Sequence, residues 1–215
     1  MNPDLQTKLA SARLYVLVTE SIARRPADEA TALALAGGAD MIQLREKELS
    51  DREYLDLARQ IAQQVHDAGK LFIVNDRVAI ARLARADGVH LGQDDLPPQA
   101  ARKIVGQDMI IGVSTHNVAQ ARQAVADGAD YIGVGPVYPT KTRGYETGVG
   151  TRYIREVIAA DLPIPFFAIG SITPTSLSEV LSAGARRVAL SSAIIAAKDI
   201  TAVTAEFVRK LHGRG

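Results

Sequence analysis

Two kinds of segment alternate along the whole chain. Short β-branched apolar runs occupy Leu14 to Thr19, Met41 to Arg45, Leu71 to Asp76, Gly88 to Gly92, Met109 to Thr115, Tyr131 to Pro136, Pro165 to Gly170 and Arg187 to Ala193. They are continuous rather than alternating, as strands covered on both faces require. The longer Ala-rich segments between them, such as Asp51 to Ala68 and Asn117 to Ala126, carry apolar residues at i, i+3 and i+4 with charges in between. That spacing predicts amphipathic helices.

A small motif recurs just before several of these strands: Gly37-Gly38-Ala39-Asp40, Ala86-Asp87-Gly88-Val89, Asp127-Gly128-Ala129-Asp130 and Ala183-Gly184-Ala185-Arg186. Glycine there suits the left-handed position after a helix and a tight turn into a buried strand. One junction used repeatedly implies a repeated βα unit. Eight strands alternating with eight helices predict an α/β fold, a single-domain (β/α)8 TIM barrel spanning residues 1–215. An open doubly wound sheet also alternates β and α, but the early G-x-G-x-x-G fingerprint of its dinucleotide-binding form is missing. The longest polar interruption, Val137 to Gly150, reads as a loop after the sixth strand.

Composition narrows the function classes. Of 215 residues, 47% are hydrophobic and 23% charged, which is globular rather than disordered. Lys plus Arg number 25 against 24 Asp plus Glu, for a formal charge of +1. Neither nucleic acid nor a membrane surface is an expected partner on that balance, and any grip on phosphate must be local. With no cysteine, disulfides, thiolate metal sites and a Cys nucleophile are excluded. Met1 to Ala12 lacks the pattern of a secretory signal, and no apolar run is long enough to span a bilayer. A cytoplasmic location is therefore expected. No sustained heptad or apolar patch marks an oligomer interface, so a homo-oligomer stays open.

In a barrel, chemistry collects where strands end, and the polar residues gather there. The second strand runs into Gln43-Leu44-Arg45-Glu46-Lys47, the third into Asn75-Asp76 and the fourth into Gln93-Asp94-Asp95. The fifth ends in Ser114-Thr115-His116, the sixth leads to Thr140-Lys141-Thr142-Arg143, the seventh ends in Gly170-Ser171 and the eighth in Ser191-Ser192. Asp76 and the Asp94/Asp95 pair follow adjacent strands, whose axes lie about 4.8 Å apart. Carboxylates so close repel unless a cation separates them. A hard divalent ion, most simply Mg2+, fits oxygen ligands of this kind; helix or loop capping is the alternative use of the same acids. Arg45 and Lys47 stand two apart, so on a continuing strand they point the same way and grip one anion, with Arg143 closing from the loop. Thr140, Thr142, Gly170, Ser171, Ser191 and Ser192 offer hydroxyls and close backbone approach near strands seven and eight, the usual phosphate site of barrels; Ser192 and Thr173-Pro174 also suit helix starts.

Two anionic groups, one with metal and one without, thus share one mouth. No nucleophile–base pair is apparent, since His116 follows Ser114 too closely for a triad. His90 reads as a satisfied core residue, and His66 and His212 as solvated helix residues. These features suit departure of a pyrophosphate stabilised by metal and cations.

Gln43-Leu44-Arg45-Glu46-Lys47, Asn75-Asp76, Gly88 to Leu96 (GVHLGQDDL), Gly112 to His116 (GVSTH) and Gly135 to Thr142 (GPVYPTKT) resemble, in order and over most of the chain, the thiamine phosphate synthase family. The resemblance implies a (β/α)8 enzyme that joins hydroxymethylpyrimidine diphosphate to thiazole phosphate, with one Mg2+. It implies that Gln43, Leu44, Arg45, Glu46, Lys47 and Asn75 hold the pyrimidine diphosphate. It also implies that Asp76 and Asp95 hold the magnesium, with Asp94 not a ligand. Ser114 then lies beside the diphosphate and the reacting carbon. Thr140, Lys141 and Thr142 take the thiazole phosphate, with Ser171, Ser191 and Ser192 across the pocket. Arg45, Lys47, Ser114 and Arg143 are the catalytic set, in a dissociative substitution.

Two positions depart from the family pattern. Arg143 stands where Lys is common, a planar fork in place of a point charge. Ser171 stands where the second Gly of a Gly-Gly-Ile run is usual, adding a Cβ and a hydroxyl. Related readings are a thiazole tautomerase, for which the Asn-Asp, Pro-Thr-x-Thr and acid-pair motifs are one set too many, and a non-catalytic sensor of thiamine phosphate, favoured only by Ser171.

Overall fold

The computed structural model describes residues 2–140 and 147–213. Eight parallel strands close into one barrel in sequence order: β1 Leu14–Val18, β2 Met41–Leu44, β3 Leu71–Asn75, β4 Gly88–Leu91, β5 Ile110–Thr115, β6 Tyr131–Val134, β7 Phe166–Ile169 and β8 Val188–Leu190. The helices are α1 Pro3–Ser11, α2 Glu20–Ala23, α3 Ala27–Ala36, α4 Asp51–Asp67, α5 Val78–Leu83 and α6 Pro98–Val105. They continue with α7 Val118–Ala126, α8 Gly150–Ala159, α9 Leu177–Ser182, α10 Ser192–Ile195 and α11 Ile200–His212. Among the described residues the helices therefore exceed the expected eight, because α1 precedes the barrel and two helices each follow β1 and β8.

Strand bounds are shorter than the apolar runs suggest. The eighth strand stops at Leu190, and Ser192 and Ala193 belong to α10. The second stops at Leu44, so strand alternation does not carry through Arg45 and Lys47: Arg45 is 6% exposed while Lys47 is exposed. Gly150 opens α8 instead of ending the preceding loop.

The core has two parts. Outside the barrel, strand residues such as Val16, Ile42, Phe72 and Ile132 pack against helix residues such as Ala30, Ile61 and Val157. Inside it, Tyr15, Met41, Ile73, Tyr131 and Phe167 fill the lumen together with Leu9 of α1. The rings of Tyr15, Tyr131 and Phe167 meet edge to face at centroid separations of 5.4 to 5.9 Å, a favoured aromatic geometry. Gly112 makes this possible: a Cβ there would overlap the Tyr131 ring.

The recurrent junction has a physical basis. Gly38, Gly128 and Gly184 take positive φ, as the motif predicts. Gly88 does not; it lies within β4, where a Cβ would come within 2.6 Å of the Ile110 carbonyl oxygen on β5. The aspartates of the motif reach back to the preceding strand. Asp40 accepts from the backbone N–H groups of Arg13 and Leu14, Asp87 from Phe72 and Asp130 from Ile111. Each satisfies a donor that a strand start would otherwise leave open at the barrel's foot. The fourth copy carries Arg186 in place of that acid. Among the described residues no helix is long and apolar enough to cross a membrane.

Candidate active site

Strand alternation sets which residues face the lumen, and the top layer is polar. Asn75 of β3 lies in register with His90 of β4, His90 with Gly112 of β5, and Ser114 of β5 with Gly133 of β6. Above this layer the strand ends open into a pocket lined by Arg45, Ser114, Thr140, Ser171, Ser191 and Ser192, together with Gly133, Gly135, Pro136 and Gly170. Residues singled out from sequence at five different strand ends therefore share one cavity. Lys141, Thr142 and Arg143 lie outside the described residues.

The neighbours of this cavity are held by specific contacts. Gln43 is fully buried and Asn75 is 4% exposed. Gln43 Nε2 donates to the Tyr15 hydroxyl, while Gln43 Oε1 and Asn75 Oδ1 are buried acceptors with no hydrogen-bond partner among the described residues. Such acceptors are costly unless a ligand donor meets them. Leu44 is buried, and its carbonyl accepts from the Tyr54 hydroxyl. The Arg45 carbonyl accepts from Thr19 Oγ1 at 2.8 Å, which fixes the turn leaving β2.

Glu46 has a structural task. Its Oε1 accepts the Glu20 backbone N–H at 2.6 Å, at the first residue of α2. Burial pushes its carboxyl above the ordinary range, opposed by that hydrogen bond. Its side chain is thus committed to α2, away from an incoming anion.

On the metal side, Asp76 follows β3 with φ +59, and its backbone N–H donates to the His90 carbonyl on β4 at 2.9 Å. Asp76 is not the cap of α5, whose N-cap residue is Arg77. Asp95, exposed just beyond β4, accepts the Gly92 N–H on Oδ2 at 2.7 Å, which leaves Oδ1 outside that bond. Both acids therefore stand on the same rim, on neighbouring strands. Among the described residues no group of three or more His, Cys, Asp or Glu side chains is arranged to hold a metal ion by itself. A pair of carboxylates with no nitrogen or sulfur ligand suits a hard cation that keeps positions for water and phosphate oxygens.

At the other side, Gly170 has φ +111, and a Cβ there would lie 2.6 Å from Pro136. Ser171 has φ +48, and its hydroxyl donates to the Pro139 carbonyl at 2.7 Å. Ser191 and Ser192 form the start of α10, without a side-chain cap bond. His116 Nδ1 lies 2.6 Å from the Gly135 carbonyl oxygen.

Sequence reasoning missed what His90 touches. It is buried, as a core residue should be, but its Nε2 meets Ser114 Oγ at 2.9 Å and its Nδ1 meets the Tyr131 hydroxyl at 3.0 Å. A polar residue at a lumen-facing strand position, beside glycines at 112 and 133 that leave room for large neighbours, was the available signal.

Comparison with known proteins agrees with the geometry. The family model described as thiamine monophosphate synthase matches residues 14–194. The thiamine-phosphate synthase of Gloeobacter violaceus is 47% identical over 209 residues, 97% of this chain and 60% of that protein; the chain thus spans less than two thirds of that relative. That of Moorella thermoacetica is 45% identical over 207 residues, 94% of this chain and 98% of the relative. Among solved structures, thiamine phosphate pyrophosphorylase from Pyrococcus furiosus superposes with a TM-score of 0.88 at 33% identity, covering 97% of this chain and 98% of that one.

Proposed function

The chain belongs to the thiamine monophosphate synthase family, and on that premise we propose that it joins a pyrimidinylmethyl diphosphate to a thiazole phosphate, releasing pyrophosphate and giving thiamine phosphate. One observation carries the reading: Arg45 and Ser114, suited to a diphosphate, line the same cavity as Thr140, Ser171, Ser191 and Ser192, suited to a second phosphate. A site for one anion would need only half of this lining.

The reaction balances without a general base. The bond between the pyrimidine methylene carbon and the diphosphate oxygen breaks, and its electron pair leaves with the diphosphate. The aminopyrimidine ring carries the cation, and the thiazole nitrogen, which has a lone pair and no proton, forms the new bond. The task left to the protein is to hold both partners and to meet the negative charge growing on the leaving group.

In this reading, Gln43 Oε1 and Asn75 Oδ1 accept from the amino-bearing pyrimidine, which satisfies two buried acceptors at once. Arg45, whose guanidinium offers a planar fork, meets the diphosphate with Lys47, Arg143 and Ser114. The part of Leu44 and Glu46 is confined to their backbone. Asp76 and Asp95 would hold one Mg2+, which supplies positive charge to the diphosphate oxygens. Thr140, Lys141, Thr142, Ser191 and Ser192 hold the thiazole phosphate, with Ser171 contributing its backbone across the pocket, since its hydroxyl donates to the Pro139 carbonyl. The reaction is assigned to the cytoplasm.

Purified chain mixed with both substrates and Mg2+ tests the proposal. Pyrophosphate release that requires both substrates is expected. Binding of either substrate without release would favour a sensor, and conversion of the thiazole phosphate alone would favour a tautomerase.

A further inference from the structure

Three of the four junction motifs bring an acid to a basic side chain at the barrel's foot. Asp40 pairs with Lys70 at 2.9 Å, Asp87 meets His66 at 3.1 Å and Asp130 pairs with Arg102 at 2.7 Å. The fourth junction, Ala183-Gly184-Ala185-Arg186, has a cation where the others have the acid, and Arg187 follows it. Arg13 and Arg187 immediately precede Leu14 of β1 and Val188 of β8, which are partners in the sheet. Arg13, Arg186 and Arg187 line one cavity of about 630 Å³ together with His212, Leu181 and Leu211. It opens at the strand starts, at the opposite end of the barrel from the mouth.

Charge in this cavity is one-sided. Among the described residues no Asp or Glu lines it, and none forms an ion pair with Arg13, Arg186 or Arg187. Two of the guanidiniums are held by helix ends. Arg13 Nη1 donates to the Leu211 carbonyl of α11 at 2.9 Å, and Arg187 Nη2 to the Ala10 carbonyl of α1 at 2.8 Å. Those bonds suit the negative ends of the two helices, yet each engages one nitrogen of a group that carries five N–H donors. Burial, and then the like charge of Arg13, lower the Arg187 guanidinium from its ordinary value. Arg186 is exposed and adds a third cation that helix capping does not explain. Like charges gathered in this way repel unless an anion lies between them.

We propose that this cavity binds a polyphosphate anion, gripped by Arg13, Arg186 and Arg187. Guanidinium forks match phosphate oxygens in geometry and charge, and several phosphates in a chain offset three cations where a single phosphate leaves an excess. The helix-end bonds fix two of the forks before the anion arrives, which lowers the entropy lost on binding. The site is remote from the mouth and does not depend on the reaction proposed there.

The test titrates the 15N-labelled full chain with tripolyphosphate, without Mg2+, at about 0.15 M salt. Backbone amide signals of Ser11, Arg187 and His212 are expected to shift along a saturable curve with a Kd below about 1 mM. Shifts confined to mouth residues such as Ser114 and Ser191, or no shift at the foot by about 10 mM, overturn the proposal. Arg186→Asp gives the fourth junction the acid that the other three carry. That variant is expected to melt no lower than wild type and to bind tripolyphosphate at the foot more than about tenfold more weakly. Binding at the foot equal to wild type, in a variant of native circular dichroism, would overturn the site. If the variant misfolds, the wild-type titration decides. A nucleoside triphosphate titrated in parallel identifies the source: equal or weaker affinity supports recognition of the phosphate chain itself, and tighter affinity supports a nucleotide seated against Leu181 and Leu211.

Discussion

The Ser171 hydroxyl donates to the Pro139 carbonyl at 2.7 Å, tying the end of β7 to the segment that leaves β6. The same residue holds φ +48, a left-handed conformation that costs a side-chain-bearing residue about 1–2 kcal/mol. Strain and hydrogen bond oppose one another. Ser171→Gly relieves the first and loses the second, and its stability in urea is expected to match wild type within about 0.5 kcal/mol. Ser171→Ala keeps the strain and loses the bond, and is expected to fall below both by about 1 kcal/mol. Since the hydroxyl already has an acceptor, neither change is expected to weaken thiazole phosphate binding by more than about threefold, as read from KM.

Asp130 joins two strands and a helix: its Oδ2 accepts the Ile111 N–H at 2.7 Å and pairs with Arg102 at 2.7 Å. Asp130→Ala leaves a strand-start donor and a cation without that acceptor. The expected cost is about 1–3 kcal/mol in denaturant unfolding, with the KM values of both substrates unchanged, because the residue sits at the foot of the barrel and the pocket at its mouth.

That contrast marks what the amino-acid order reveals. Barrel closure is legible because eight buried runs repeat at similar spacing with glycine-containing junctions. Gly-Ala-Asp is visible as a motif, but the acceptor role of Asp130 is not, since Ile111 is distant along the chain and meets it only once the strands align. The mouth is legible because polar residues cluster where strands end. His90 is half legible: its burial follows from its strand, while its contacts with Ser114 and Tyr131 depend on barrel register. Strand alternation does not reach Arg45 and Lys47 for a local reason, since β2 ends at Leu44 and alternation holds only within a strand; their shared role at the diphosphate rests on the proposed function instead.

His66 on α4 lies 3.1 Å from Asp87, and that hydrogen bond, opposed by partial burial, raises the imidazole above its ordinary value. A base with a raised native pKa contributes stability that is complete below its unfolded value, near 6.5, and is lost as pH climbs through the native value. Wild type is therefore expected to lose a small increment of melting temperature between about pH 6 and pH 8 that His66→Gln does not lose. Parallel pH profiles in the two proteins would exclude the pair as the source.

Asp76 and Asp95 are expected to act through charge. Asp95→Asn keeps an oxygen for the Gly92 N–H and removes the anion, so stability in urea is expected to stay within about 0.5 kcal/mol of wild type. Activity as a function of Mg2+ is expected to shift to higher concentration in both Asp76→Asn and Asp95→Asn. A Mg2+ dependence identical to wild type in either variant would remove that acid from the proposed ligand set.

Arg45 separates catalysis from folding most sharply. Its backbone carbonyl is held by Thr19 whatever the side chain, and its side chain lines the cavity with Ser114. Arg45→Lys keeps the charge and replaces a planar fork with a point charge on a shorter reach. If the fork meets charge that grows on the leaving diphosphate, kcat is expected to fall about 10²–10³-fold, the size seen when one preorganised donor to a developing anion is removed. The circular dichroism spectrum and melting temperature are expected to change little. A loss confined to KM would instead mean that Arg45 grips the diphosphate equally before and during bond cleavage, and would shift the catalytic burden to Lys47, Arg143 and Ser114.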